Sequence, residues 1–99
     1  MAEYRAVLEC TASLTDLLQH QVLCISNQLL EKGLVTKEVH DWVLTVQGVS
    51  NQDKAARLVS CVTDQIKSSA QKYHTFIGIL KQDPFFEEAV ESLNRCTCC

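Results

Sequence analysis

The sequence predicts an all-α fold, a compact bundle of six short helices. Three helical stretches, residues 36–47, 50–66 and 71–81, follow one another almost without linkers, and each carries one apolar stripe at helical spacing. The chain has only 3 glycines and 1 proline and no run in which apolar and polar residues alternate strictly. Strands and a flexible linker to a second module are therefore not expected.

The first two helices are predicted over residues 2–19 and 21–32. One continuous helix fits the apolar stripe as well, but about 30 residues would far exceed the average helix of about 11 to 12 residues. We therefore predict a break near His20. The apolar positions are Val7, Leu8, Leu14, Leu17 and Leu18 in the first helix, and Val22, Ile25, Leu29 and Leu30 in the second.

The turns between the helices carry start and stop residues. Gly33 is expected to end the second helix, and Thr36 to cap the third, which Gly48 ends. Ser50 is a good N-cap for the fourth helix, and Asp53, three residues later, imitates a capping box with a shorter acid. Asp after the fifth helix, followed by Pro, predicts a sixth helical element over residues 84–93.

The inward stripes contain three of the six aromatic residues. Trp42 at such a position is more often a core residue than an interface anchor, and the same holds for the aromatic residues of the fifth helix. Phe85 and Phe86 are adjacent, so both cannot face the core, and the exposed one is a candidate partner contact. The predicted stripes are Val39, Trp42, Val43 and Val46; Ala55, Leu58, Val59, Val62 and Ile66; and Tyr73, Phe76, Ile77 and Leu80.

Composition indicates one domain over residues 1–94, followed by a cysteine-rich tail at 95–99. A net charge of −3 with both signs scattered argues against nucleic acid as a partner. The absence of a long apolar run or an apolar leader predicts a cytoplasmic protein. In that compartment Cys10, Cys24 and Cys61, each alone in a helical pattern, are expected to be thiols.

The terminal sequence Cys96-Thr97-Cys98-Cys99 has three interpretations. Cys96 and Cys99 have Cys-x₂-Cys spacing, but no second pair or histidine follows, so no metal site is predicted. A double-cysteine end resembles some lipid anchors, which would be the one route to a membrane. A disordered end, or a cut where a longer protein continues, is the favoured interpretation.

Catalytic constellations are not found in the sequence. It contains no glycine-rich phosphate loop, no nucleophile with a nearby histidine and acid, and no paired carboxylates in a plausible cleft. We therefore predict that the protein is not an enzyme and needs no cofactor. The alternative to a binding module is a small metal-binding or lipid-anchored protein that acts through its terminal cysteines.

Three motifs stand out, residues 29–36 (Leu-Leu-Glu-Lys-Gly-Leu-Val-Thr), 53–59 (Asp-Lys-Ala-Ala-Arg-Leu-Val) and 73–80 (Tyr-His-Thr-Phe-Ile-Gly-Ile-Leu). They resemble caspase-recruitment domains (CARDs), and the resemblance covers roughly residues 5–93. Residues 67–70 (Lys-Ser-Ser-Ala) depart from the usual Lys-Gly turn, and Val35 and Val59 replace leucines. Pyrin, death-effector and death domains share the six-helix plan, so the subfamily stays open.

This resemblance implies a six-helix antiparallel bundle with the Greek-key topology of the death fold, often with a kinked first helix. It also implies a non-enzymatic module that binds itself and other CARD-containing proteins. Such domains assemble adaptors, receptors and caspases in apoptosis or innate immunity, and many form helical filaments.

Charged residues on the predicted third and fourth helices suggest where such a module binds. Lys54 and Arg57 lie three residues apart, as do Glu38 and Asp41, so each pair shares a helix flank. Ordinary solvated charges are the alternative, since exposed pairs contribute only ~0–1 kcal/mol. The family's commonest contact, carried over by position, implies a basic face of Arg5, Lys54 and Arg57 and an acidic face of Glu31, Glu38 and Asp41. Arg57→Glu or Asp41→Arg is accordingly expected to abolish self-association.

Overall fold

A computed structural model describes the backbone of residues 2–98 and the side chains of residues 5–95. Within this range the chain forms α-helices and two 3₁₀ turns and no strand, which confirms the all-α prediction. The helices are α1 (Ala2–Glu9), α2 (Thr11–Leu18), α3 (Val22–Glu31), α4 (Lys37–Thr45), α5 (Asn51–Ser68), α6 (Gln71–Lys81) and α7 (Glu87–Cys98), with 3₁₀ turns at Gln19–Gln21 and Pro84–Phe86.

The first predicted helix is bent at Cys10 into α1 and α2. Its cause is local, because the Thr11 hydroxyl donates to the backbone carbonyls of Val7 (3.1 Å) and Leu8 (2.9 Å). A threonine side chain that bonds the preceding turn competes with the helical ladder and bends it. Backbone hydrogen bonds made by the N–H and the C=O of Cys10 continue across the bend. The two segments therefore act as one kinked helix, and the predicted count of six helices is retained.

The predicted break near His20 is confirmed. Residues 19–21 form a 3₁₀ turn, and Gln21 leaves the helical region with φ −138° and ψ 39° before α3 begins. The alternative of one long helix through this segment is excluded.

The connection between α3 and α4 is a glycine-ended turn. Gly33 has a φ of +75°, which favours glycine, and its N–H donates to the carbonyl of Leu30 (3.1 Å). The N–H of Leu34 donates to the carbonyl of Leu29 (2.8 Å), so the last turn of α3 closes as a Schellman motif. Thr36 then caps α4 as predicted, because its hydroxyl accepts from the N–H three residues later (3.2 Å).

The remaining caps follow the prediction closely. Ser50 Oγ accepts from the N–H of Asp53 (3.1 Å), although the reciprocal half of a capping box is not formed among the described residues. α4 ends before Gly48, which has a φ of +75° in the connecting turn. Asp83 Oδ1 accepts from the N–H two residues on (2.9 Å), and Pro84 begins the 3₁₀ turn that leads into α7.

α5 lies at the centre of the bundle. It packs against α1, α2, α3, α4 and α6, while α1 also packs along α7 and α3 packs on α4. The first and last helices therefore lie side by side, and the core between them is closed by residues far apart in sequence. The predicted stripes of α5 and α6 are confirmed as buried, and the largest fully buried side chains are Phe76, Phe86, Leu14, Leu18, Ile25, Leu29, Leu34, Leu58, Ile66, Leu80 and Leu93.

Some predicted core positions lie at the surface instead. Leu8 is 52% exposed, because α1 turns Ala6, Val7 and Cys10 inward and leaves the next residue about 100° away on the helix. Trp42 and Leu17 are half-buried and pack against the edge of the core rather than inside it.

The last helix is longer than predicted. α7 continues to Cys98, five residues past the predicted end at 93, so most of the predicted tail has helical backbone. The side chains of residues 96–99 lie outside the described residues, and the interpretations of the terminal cysteines therefore stay predictions. Among the described residues, no helix combines the length and the apolar composition that a membrane span requires.

Candidate protein-interaction surface

Two open grooves flank α5 on its solvent side. One lies between α4 and α5, has a volume of about 320 Å³, and is called here the Arg57 groove; it is lined by Thr36, Glu38, Val39, Arg57, Ser60, Cys61, Asp64 and Gln65. The other lies beside the Gln19–Gln21 turn, has a volume of about 260 Å³, and is called the Lys54 groove; it is lined by Gln19, His20, Gln21, Val22, Leu23, Cys24, Asn51 and Lys54. The predicted basic pair is thus divided between two grooves.

In the Arg57 groove the cation is engaged by its own chain. The guanidinium carbon of Arg57 lies 6.0 Å from the ring centroid of half-buried Trp42, within the range of a cation–π contact. Glu38 and Asp64 line the same groove, although neither forms an ion pair with Arg57 among the described residues. This charge therefore lies beside an aromatic ring, in a groove that two acidic residues also line.

In the Lys54 groove no described acidic or aromatic side chain contacts the lysine ammonium. Lys54 is half-buried, and its side-chain ammonium makes no hydrogen bond or ion pair with another described residue. None of the described residues that line this groove is acidic; its polar groups are amides and the imidazole of His20. Beside them lie Leu23, which is 50% exposed, and the free thiol of Cys24. The groove therefore combines a positive charge with accessible apolar surface.

The predicted acidic residues are all exposed and lie on two helices. Glu31 ends α3, Asp41 lies on α4, and Glu38 lines the Arg57 groove beside the predicted basic residue. Arg5 is exposed on α1 and borders neither groove. Glu38 and Arg57, which were predicted on faces of opposite charge, thus line one groove, because α4 packs on α5. The binding roles of the six charged residues stay predictions.

Exposed apolar side chains are the feature that sequence reasoning missed. Leu8, Leu23 and Leu44 are 52%, 50% and 48% exposed. Each directly follows a buried valine, and a residue one step beyond an inward position points about 100° away from the core. That Val-Leu spacing was the available signal, because the helical stripes already occupy the inward positions.

Phe85 is the fourth exposed apolar residue. It is 42% exposed while Phe86 is 2% exposed, which confirms that one of the adjacent aromatic residues faces solvent. The Phe85 ring makes edge contacts with Phe86 (5.2 Å between centroids) and with His20 (5.7 Å). His20, which lines the Lys54 groove, is thus held against the 3₁₀ turn before α7.

A buried hydrogen bond joins α3 to α4 behind these grooves. Ser26 Oγ and His40 Nδ1 lie 2.7 Å apart, and both residues are buried. Because Ser26 is fully enclosed, a substrate has no room beside its hydroxyl, and we assign the pair a structural role. The sequence contains no local signal for this contact, since the two residues are 14 positions apart.

Other clusters offer little chemistry. A third open groove, with a volume of about 500 Å³, is lined by Lys81, Asp83, Pro84, Glu87, Val90 and Glu91. In the part of the chain that the structure describes, no group of three or more His, Cys, Asp or Glu side chains is arranged to hold a metal ion.

Comparison with protein-family models, with curated proteins and with solved structures finds no significant match to this chain.

Proposed function

We propose that this chain is a non-enzymatic, homotypic interaction module of the CARD type. It assembles in the cytoplasm with copies of itself and with other CARD-containing proteins, as an adaptor or receptor domain in apoptotic or innate-immune signalling. Complementary charged surfaces on its helices make the contacts, and filament formation is one form that the assembly takes.

The arrangement of the helices supports this proposal. Six helical units fill the chain, and the first is bent, as the resemblance to CARDs implies. The three motifs lie at the turn from α3 to α4, in the first turns of α5 and along α6, and their central apolar residues are buried. Packing of the first helix against both α5 and α7 is compatible with the Greek-key order proposed for the bundle.

The observation that carries the proposal is a pair of unneutralised, opposite charges on neighbouring helices. Asp41 on α4 is exposed and Lys54 on α5 lines an open groove, and neither has an ion-pair partner among the described residues. Charges of opposite sign at different places on one molecule favour a heterologous, head-to-tail contact. Such complementary patches steer and orient partners more than they add affinity.

Sedimentation velocity and negative-stain microscopy across concentration and salt test the proposal. We expect particles larger than a monomer to grow with concentration and to shrink with salt, because exposed charges are screened over about 8–10 Å at physiological ionic strength. Asp41→Arg is expected to abolish this assembly. The matched control is Glu91→Arg, which reverses an exposed charge on α7 beside the third groove. A wild-type chain that stays monomeric at every concentration and salt would contradict the proposal.

Deletion of residues 96–99 separates this function from one based on the terminal cysteines. A homotypic module assembles without them, since none of the surfaces described above includes these residues. If the truncated chain loses assembly that the full chain shows, the alternative of a metal-binding or lipid-anchored protein gains support.

A further inference from the structure

Two of the exposed leucines accompany a candidate charged residue. On α4, Leu44 lies three residues after Asp41, and both are exposed, so the two side chains neighbour each other on the helix surface. Leu23 lines the same groove as Lys54. The chain therefore presents an acid-plus-leucine knob at one place and a lysine-plus-leucine groove at another.

We propose that the Asp41–Leu44 knob of one copy docks in the Lys54 groove of a second copy. Leu44 packs against Leu23, and the carboxylate of Asp41 pairs with the ammonium of Lys54. This inference rests on the proposed function and adds to it an apolar centre of the homotypic contact.

Charge selects the Lys54 groove over its neighbour as the receptor. In the Arg57 groove an incoming carboxylate would meet Glu38 and Asp64, and the cation already faces the ring of Trp42. Like charges brought together in an interface act against binding. The Lys54 groove has no acidic lining residue among those described, and its cation has no partner there.

The composition of the groove suits an apolar anchor with a polar rim. Leu23 and the Cys24 thiol supply its apolar surface, while the surrounding amide groups and Lys54 form the edge. Interfaces commonly place one buried anchor inside such a rim, and the anchor then carries most of the binding energy. Leu44 fits this role because it is 48% exposed on its own chain and stands next to the complementary charge.

A second copy is the partner that the geometry favours, because the knob and the groove belong to one chain and carry opposite charges. The knob lies on α4, whereas the groove is lined by the Gln19–Gln21 turn and the first turns of α3 and α5, so the contact joins two different surfaces of the chain. A contact of this kind is heterologous and needs no further protein.

Leucine substitutions give the first test. Leu44→Ser and Leu23→Ser are each expected to weaken self-association, measured by sedimentation equilibrium, by about tenfold or more, as for removal of a central anchor. The matched control is Leu8→Ser, which changes an equally exposed leucine on α1 outside both grooves and should leave association unchanged. Circular dichroism and urea unfolding confirm that each variant is folded.

Mixing two half-competent variants gives the second test. Leu44→Ser keeps the groove and loses the knob, whereas Lys54→Glu keeps the knob and loses the groove. At a concentration near the wild-type dissociation constant, each alone should sediment mainly as a monomer, and a 1:1 mixture should contain a heterodimer, because one intact knob meets one intact groove.

The outcomes separate this inference from the proposed function. If the wild type self-associates and Leu44→Ser and Leu23→Ser behave like Leu8→Ser, the apolar contact is overturned while homotypic assembly stands. Absence of a heterodimer in the mixture, with an associating wild type, also overturns it. A wild type that never self-associates overturns the proposed function and this contact with it.

Discussion

The Arg57 groove and the Lys54 groove lie on the same helix, yet their charges are handled differently. Arg57 faces the ring of Trp42 and shares its groove with two carboxylates. Its own chain therefore already supplies an aromatic ring and negative charge near the guanidinium. Lys54 shares its groove with amides, a histidine and an exposed leucine, and with no described acid. Two basic residues three positions apart thus have different availability to a partner.

Helical spacing alone therefore does not define a binding face. Residues three apart on α5 are neighbours on that helix, but each is also assigned a local environment by the helix packed beside it. α4 brings an aromatic ring and an acid to Arg57, whereas the Gln19–Gln21 turn brings amides and an imidazole to Lys54. The second site is the one left open to another molecule.

A cavity in the core under α5, the helix that both grooves share, has the largest expected effect. Leu58 follows Arg57 on α5 and is fully buried, so Leu58→Ala leaves a cavity in the core. We expect the free energy of unfolding to fall by about 2–5 kcal/mol, measured by urea denaturation. Ser60→Ala, an exposed change on the same helix, should stay within about 0.5 kcal/mol. A loss for Leu58→Ala no larger than that of the control would contradict the central position of α5.

Loss of the hydrogen bond between α3 and α4 has the next largest expected effect. Ser26→Ala removes the buried hydrogen bond to His40 and leaves the imidazole Nδ1 unsatisfied between α3 and α4. The expected loss is about 1–3 kcal/mol in the free energy of unfolding. Amide hydrogen exchange should show reduced protection in α3 and α4. Ser13→Ala, at an exposed position of α2, is the control, and equal losses for the two serines would refute a structural role for the pair.

The turn that sets α3 against α4 is tested with a pair of glycines. Gly33→Ala forces a side chain into a φ of +75° and should cost about 1–2 kcal/mol of stability. Gly78→Ala lies inside α6 with nothing within 4 Å of the added methyl group, and should stabilise the protein by about 0.5–1 kcal/mol. Thermal unfolding of both variants shows whether each substitution raises or lowers the stability. A stabilised Gly33→Ala variant would rule out the left-handed turn.

The smallest expected effect compares the two cations directly. Arg57→Gln removes the cation–π contact and should cost about 0.5–1 kcal/mol while shifting the emission of Trp42, the only tryptophan in the chain. Lys54→Gln should leave both stability and emission unchanged. For self-association the order reverses, and Lys54→Glu should be more damaging than Arg57→Glu. Equal emission shifts for the two glutamine variants would mean that the grooves do not differ.

Local features of this fold were predictable from the sequence, and tertiary ones were not. Thr36, Ser50 and Gly33 act on their own backbone neighbours, so their caps and turns follow from residue type and position. The bend at Cys10 has an equally local cause in the Thr11 hydroxyl, although only the resemblance to CARDs predicted it.

The site was less predictable because its properties come from packing between helices. Arg57 contacts Trp42 and shares a groove with Glu38 only because α4 packs on α5. The spacing of residues along the chain does not specify that packing. The exposure of Leu44 could have been predicted, because Val43 belongs to the inward stripe and the next residue on the helix points away from it.

Contact between the Asp41–Leu44 knob and the Lys54 groove of different copies is tested most directly by a charge-swap experiment followed by sedimentation velocity. Asp41→Lys and Lys54→Glu should each be monomeric, because each brings like charges together in the contact. An equimolar mixture should assemble again, since Lys54 of one variant meets Asp41 of the other and the two introduced charges also attract. Assembly of either single variant at the wild-type level would contradict this contact. A mixture that does not assemble, while the wild type does, would contradict it as well.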